Sequence, residues 1–467
     1  MRDRMMMPAT MRVPLSAPLA ASAFVIAAIA LGGGGSPAPL PELILELLAF
    51  GLIALSLLLP WVIIDWQRVP QTAWRVAALT TLVPLLQLIP LPPIVWHALP
   101  ARDLEVRALA LIGSDDTWRT WSMAPSRTLS SLLSLTPPLL ALLMTSALGQ
   151  RGRQWLIFTM AAMTLASLLL GALQLSAGDF SSLHFYGVNV PMLVGFQANH
   201  NATADLLLIG LMAVPLVVVE LVERRIIPNR PVPVIAIAAA GSAVVVLGVV
   251  LTASRMGIML LPIPLIATLW ILRPWLAMNP RRIAYGLVAL VALVGLGVLV
   301  ARGNPVLEAV VARFDFSQEL RPQLWRDGLY VAQKYFPFGV GMGDFVPALI
   351  ADERLEVIWP SMPNRAHNDF LELACEAGIF GLAALSAISW TLARALWTRL
   401  RSSQARSAAL AVFAGASLAI LSLHSLVDYP FRSMALACLG AVCAGLLLDP
   451  RQSGETASAV PSAGKMR

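Results

Sequence analysis

Apolar residues run along almost the whole chain in stretches of about 20, separated by polar connections. Twelve such spans are predicted, at about 15–34, 42–64, 76–97, 129–148, 155–176, 202–222, 232–253, 256–272, 283–301, 369–393, 408–426 and 433–449. Each is long enough, or nearly so, to cross about 30 Å of hydrocarbon as a helix. The short alternating segments that a membrane barrel needs do not occur. The pattern predicts an all-α polytopic membrane protein of about twelve transmembrane helices. Residues 1–301 carry the first nine spans and residues 369–449 the last three, with a large outer loop over 302–368 and a disordered tail over 450–467. A second, shorter outer segment covers 98–128 and carries charges of both signs.

Composition agrees. Of 467 residues, 58% are hydrophobic and 13% charged, against about 25% charged in soluble domains. A cytosolic enzyme, a disordered chain and a small secreted domain are excluded. The net charge of +7 is almost all arginine, since Lys334 and Lys465 are the two lysines. The arginines lie between apolar spans rather than in one patch, so no nucleic-acid partner is implied. Cys375, Cys438 and Cys443 all lie inside apolar spans and read as small core residues, with no disulfide framework.

Basic residues also orient the chain. They recur at Arg2, Arg4 and Arg12, at Arg68 and Arg75, at Arg151 and Arg153, at Arg224, Arg225 and Arg230, at Arg273, Arg281 and Arg282, and at Arg394, Arg399, Arg401 and Arg406. These are the N-terminus and alternate connections, and the tail adds Arg451, Lys465 and Arg467. The positive-inside rule therefore places both termini in the cytoplasm. The first span also fits a cleaved signal peptide, because small residues follow its apolar core.

Candidate chemistry gathers on the outer side. In the large loop, residues 322–336 predict an amphipathic helix with Pro322 in its first turn. Trp325, Leu329, Ala332 and Phe336 form its apolar stripe, with Arg321 near that stripe and Arg326 on the polar side. An arginine held against an apolar surface needs an anionic partner. The turn GVGMGDF at 339–345 has no Gly-Lys-Ser/Thr and is not a P-loop.

His367 sits where the chain re-enters the membrane, followed by Asn368, Glu372 and Glu376 at i, i+4 and i+8. Acids inside a span face a cavity or a partner, and a histidine at such a mouth serves either as a general base or as an interfacial hydrogen-bonding group. The tight hairpin before Arg255 leaves an arginine almost at membrane depth, either snorkelling or holding an anion. Gln197, Asn199, His200 and Asn201 cluster at the outer start of the sixth span, where amides suit sugar hydroxyls or backbone equally.

Taken together, these elements resemble the O-antigen ligase/polymerase superfamily of bacterial envelope glycosyltransferases. The matching elements are Ser254-Arg255, Arg321-x-x-x-Trp325 followed by Pro337-x-Gly-x-Gly341, and His367-Asn368-x-x-Leu371-x-x-x-x-Glu376-x-Gly378-x-x-Gly381. Looser likeness lies in Phe196-x-x-Asn199-x-Asn201 and Trp121-Ser-Met-Ala-Pro125-x-x-Thr128. The similarity covers roughly residues 100–445.

The resemblance implies a GT-C-like helical fold with an active site facing the periplasm. There a glycan passes from undecaprenyl diphosphate to an acceptor hydroxyl, on a lipid-linked repeat unit or on lipid A-core. It implies catalytic roles for Arg255 and Arg321 at the diphosphate and for His367 at the acceptor. Arg326, Asn199, Asn201, Asn368 and Glu376 are candidate substrate-binding residues. No cofactor or metal is implied, and the transfer is expected to be inverting. The resemblance leans towards a polymerase of O-antigen or exopolysaccharide, working with a chain-length regulator. The alternatives are an O-antigen ligase or protein glycan ligase and, in another class, an anion transporter.

Overall fold

The structure, a computed structural model, describes residues 16–35, 39–59, 63–177, 183–186, 192–276, 321–352, 363–402 and 404–448. The protein is an all-α polytopic membrane protein. Its chain runs through α1 (Ser16–Leu31), α2 (Pro39–Leu58), α3 (Gln71–Gln87), the short α4 (Pro93–Trp96), α5 (Asp103–Ala110), α6 (Pro125–Ser134) and α7 (Thr136–Ala147). Next come α8 (Gln150–Ala177), α9 (His200–Glu223), α10 (Pro231–Leu251), α11 (Arg255–Leu260) and α12 (Pro262–Leu272). After a stretch outside the described residues follow α13 (Arg321–Lys334), α14 (Phe345–Asp352), α15 (Asp369–Leu400), α16 (Ala405–His424) and α17 (Met434–Leu447).

Among the described residues, eight helices are long and apolar enough to cross a membrane: α2, α6 with α7, α8, α9, α10, α11 with α12, α15 and α16. α1 and α17 are shorter apolar helices. The predicted span 283–301 lies outside the described residues, as do 302–320, 353–362 and the tail.

Burial separates centre from edge. In its most apolar stretch α9 is 72% buried and α2 only 17%. So α9 is the central post, and α2 keeps most of its leucines outward, where only lipid makes them tolerable. α1 belongs to the packed interior, with Phe24 and Ile29 in the main core beside α8 and α17.

One expected span is corrected. The stretch 76–97 is not a single helix: α3 stops at Gln87, and Pro90–Leu91 (β1) pairs antiparallel with Arg119–Thr120 (β2). Pro90, Pro92 and Pro93 remove backbone donors and clash with a preceding helical turn, which ends the helix although the hydropathy continues. The amphipathic helix expected over 322–336 is present as α13, with Pro322 in its first turn. Its packed side is not the expected stripe, however. Gly328, Val331 and Tyr335 face inward, whereas Leu329 and Phe336 are exposed. Gly328 supplies a flat surface on which Leu371 of α15 rests.

Candidate functional site

One end of the bundle gathers the starts of α9, α11, α15 and α17 and the end of α16. The opposite end carries Arg224, Arg394, Arg399, Arg401 and Arg406. A cavity of about 160 Å³ bordered by Glu220, Trp270, Arg273 and Arg406 lies at that arginine-rich end, away from the residues that follow.

His367 precedes α15 with φ +49°, a left-handed backbone that a non-glycine residue adopts only when its surroundings hold it there. Those surroundings are specific. Trp325 Nε1 donates to the Ala366 carbonyl at 3.1 Å, and Ala366 N donates to Glu372 Oε2 at 2.9 Å. Asn368 is the N-cap of α15: its Oδ1 accepts from Leu371 N at 3.0 Å, and its Nδ2 donates to the Leu426 carbonyl at 3.0 Å. Asp369 N donates to the Ser425 carbonyl at 3.0 Å. The histidine is thus fixed between α13 and the turn that joins α16 to α17.

That turn supplies a residue which the sequence reading did not single out. Asp428 Oδ1 lies 3.1 Å from His367 Nδ1, with the aspartate side chain 4% exposed and the histidine 27%. Tyr429 N donates to the same oxygen at 3.0 Å, and Asn201 Nδ2 donates to Oδ2 at 2.5 Å. The Tyr429 ring meets the imidazole edge-on at 4.9 Å. Burial works to raise the Asp428 pKa, but the hydrogen bond from His367 and the charges of His424, His367 and Arg321 outweigh it, so the carboxyl sits below its usual range. An ionised Asp428 requires the proton on Nδ1 of His367. That leaves the Nε2 lone pair as the basic position. Behind this pair, His424 Nδ1 lies 2.7 Å from Asp205 Oδ1, both wholly buried. Neither residue was among the sequence candidates.

The other candidates are placed as follows. Asn199 is the N-cap of α9, its Oδ1 accepting from Asn201 N at 2.8 Å. Arg321 opens α13, and its charge is felt at Asp428. Arg255 opens α11 directly after Ser254, whose Oγ caps Gly257 N at 3.1 Å. α11 lies against α9 at Ala204, three residues beyond Asn201. Arg326 is exposed on α13. Glu376 is fully buried, and Arg432 Nη2 holds its Oε2 at 2.7 Å. The same guanidinium is 3.5 Å from Glu372 Oε1, which Arg365 reaches at 3.0 Å. So Glu372 and Glu376 do share a face, but it is turned towards two arginines. Arg432 was also missed in the sequence.

The glycine motifs have a common cause. Within α15, Gly378 departs from helical geometry at φ 55°, ψ −144°. The turn after α13 enters that break. Ile379 N donates to the Pro337 carbonyl at 2.9 Å, while Val340 N and Gly341 N donate to the carbonyls of Cys375 at 3.0 Å and Glu376 at 2.9 Å. A Cβ on Gly378 would stand 2.0 Å from the Pro337 oxygen, and one on Gly339 2.6 Å from the Glu376 carbonyl. Gln87, at the end of α3, completes the junction by donating to the Glu376 carbonyl and accepting from Met342 N, both at 2.9 Å. A broken helix at membrane depth is tolerated because the entering turn and Gln87 give partners to the carbonyls of Cys375 and Glu376 and to Ile379 N. Nearby, Asp344 Oδ2 accepts from Ser122 Oγ at 3.1 Å and Ala124 N at 3.0 Å. Its burial outweighs those bonds, and its pKa is pushed up to about 7.

Among the described residues, no group of three or more His, Cys, Asp or Glu could hold a metal ion. Chemically, the end of the bundle offers an oriented imidazole beside two segments that begin with arginine.

A structure described as "Structural coordination of polymerization and crosslinking by a peptidoglycan synthase complex" contains a chain similar to this one at 20% identity and a TM-score of 0.42. The match covers 83% of this chain and 98% of that one. No curated protein matches. Residues 206–386 match the family model Wzy_C, described as O-antigen ligase, a range that holds Arg255, Arg321, His367 and the break in α15. This match supports the O-antigen ligase-related superfamily for the chain.

Proposed function

We propose that this protein is a bacterial inner-membrane glycosyltransferase that moves a glycan from undecaprenyl diphosphate to an acceptor hydroxyl at the periplasmic face. The observation that carries the reading is the pairing of His367 with Asp428 at the start of α15. A sugar hydroxyl is a weak nucleophile until a base near neutral pH takes its proton, whereas diphosphate is already a competent leaving group. The hydroxyl gives its proton to Nε2 of His367 as its oxygen bonds to the anomeric carbon. The bond from that carbon to the diphosphate oxygen breaks, and the electron pair stays on the diphosphate. Arg255 and Arg321 receive the developing charge through forked hydrogen bonds. Attack opposite the leaving group inverts the anomeric centre, and no metal is required. Asp428 holds the imidazole tautomer.

Within this class we favour a polymerase, whose acceptor is another lipid-linked repeat unit and whose product length a regulator would set. Transfer to lipid A-core, or to a protein, is the alternative. Against a transporter stands the break in α15 itself, which backbone from the 337–341 turn fills rather than leaving it open. The test supplies purified protein with undecaprenyl-diphosphate-linked repeat units alone, and then with lipid A-core. A ladder of longer lipid-linked chains identifies a polymerase. Product that forms only with lipid A-core identifies a ligase, and no transfer in either case overturns the reading.

A further inference from the structure

Between α3 and α6 the chain makes an excursion whose two sides differ. Its inner side is packed: Trp96, Leu109 and Trp121 are buried, and buried Arg102 pairs with Glu105 at 2.5 Å and donates to the Trp121 carbonyl. Its outer side is apolar and bare. Ile94 is 83% exposed, Leu104 74%, Leu111 87%, Ile112 72% and Trp118 66%. They lie on α4, on α5 with the turn after it, and just before β2. Leu104, Leu111 and Ile112 lie at i, i+7 and i+8, on one face of α5 and the turn after it. Trp96 Nε1 donates to the Thr117 carbonyl at 2.9 Å, and His97 Nε2 lies 3.0 Å from the Asp115 carbonyl, which ties the stretch that carries Ile94 to the one that carries Trp118.

Soluble surfaces rarely leave five large apolar side chains this bare, and contiguous patches of this kind mark a contact. The depth of the segment says with what. Gln87, the last residue of α3, binds the carbonyl of Glu376, seven residues into α15, so α3 ends roughly 10 Å below the start of that helix at 1.5 Å per residue. Leu82, Leu85 and Leu86 on α3, and Ile89, Ile94 and Val95 beyond its end, are all exposed. The bare surface is thus an extension of the lipid-facing side of the bundle, at the level where tryptophan is enriched in membrane proteins.

We infer that this excursion lies in the membrane interface, with Ile94, Leu104, Leu111, Ile112 and Trp118 seated among the acyl chains of the leaflet at the His367 end. The occupant of the surface is lipid rather than a protein partner. Because Ser122 and Ala124 bind Asp344, and the 339–341 turn before it docks into the break in α15, this seating fixes the rim of the candidate site relative to the lipid surface. The inference does not depend on the proposed reaction.

The test places a single nitrobenzoxadiazole label on L104C or L111C, with D116C as the exposed control. Cys375, Cys438 and Cys443 are buried, and the unsubstituted chain sets their background. The labelled full chain is reconstituted in nanodiscs of phosphatidylethanolamine and phosphatidylglycerol, with and without lipid that carries a shallow doxyl quencher. Labels at 104 and 111 should emit blue-shifted from that at 116 and lose most of their intensity to the quencher. Emission as water-like as at 116 would overturn the inference. So would shielded labels that lipid does not quench, or a disulfide between two copies of L111C, because either result puts protein on this face. Each variant is read on its own, so one that fails to insert leaves the other to decide.

Discussion

Asp428 stands 3.1 Å from the Nδ1 atom of His367, 61 positions away in the chain, and a second amide, from Asn201 at the start of the central helix, binds its other oxygen. Three separate membrane segments thus meet on one carboxylate. If that carboxylate sets the tautomer of His367, replacing Asp428 by Asn keeps the shape but removes the charge. Transfer by Asp428→Asn should then fall by at least about 100-fold, the scale of general-base contributions, while the protein still inserts. Turnover in purified protein and membrane abundance check this together.

The arginines divide by position. Arg255 and Arg321 open helices at the His367 end, whereas Arg326 is exposed on the far side of α13. Alanine at 255 or 321 should abolish transfer, because each removes a forked donor from a developing diphosphate charge. Arg326→Ala should cost less than either. The comparison of the three rates in one membrane preparation checks the order.

Arg432 holds Glu376 at 2.7 Å in a buried setting that it shares with Glu372. Its replacement by Gln strands carboxylates that water cannot reach. The expected loss is about 3–5 kcal/mol, as for one partner of a buried ion pair, read as a lower unfolding temperature in detergent. Adding Glu376→Gln to Arg432→Gln should recover part of it.

Asp344 makes stability depend on pH with a definite sign. Its carboxyl is raised to about 7 in the folded chain, against about 3.9 when unfolded. Between those values the folded state keeps a proton that the unfolded state has lost, so this group's contribution is full below about pH 4 and is lost as pH rises through 7. Unfolding temperature should therefore decline from pH 5 to pH 8, and Asp344→Asn should flatten that decline.

Much of this was legible in the sequence because the bilayer imposes a strong pattern. Hydropathy located the long apolar helices among the described residues, and the His367-to-Gly381 motif pointed to the start of α15. Hydropathy could not place the end of α3, which Pro90, Pro92 and Pro93 decide sterically. The roles of Gly339 and Gly378 were hidden, because each is needed only where two distant backbones meet. Asp428 and Arg432 were passed over because neither belongs to a repeated spacing. The available signal was an acid and an arginine four residues apart, Asp428-Tyr-Pro-Phe-Arg432, in a short connection between two apolar spans. Charged groups so close to membrane depth have partners, and here the partners are His367 and Glu376.

The role of His367 is tested most directly by His367→Ala, with donor binding and turnover measured on the same purified preparation. An imidazole that removes the acceptor proton acts after the donor is bound. Binding of the undecaprenyl-diphosphate-linked glycan should therefore persist, while turnover falls by about 100-fold or more. Unchanged turnover, or a loss explained entirely by weaker donor binding, would contradict this role.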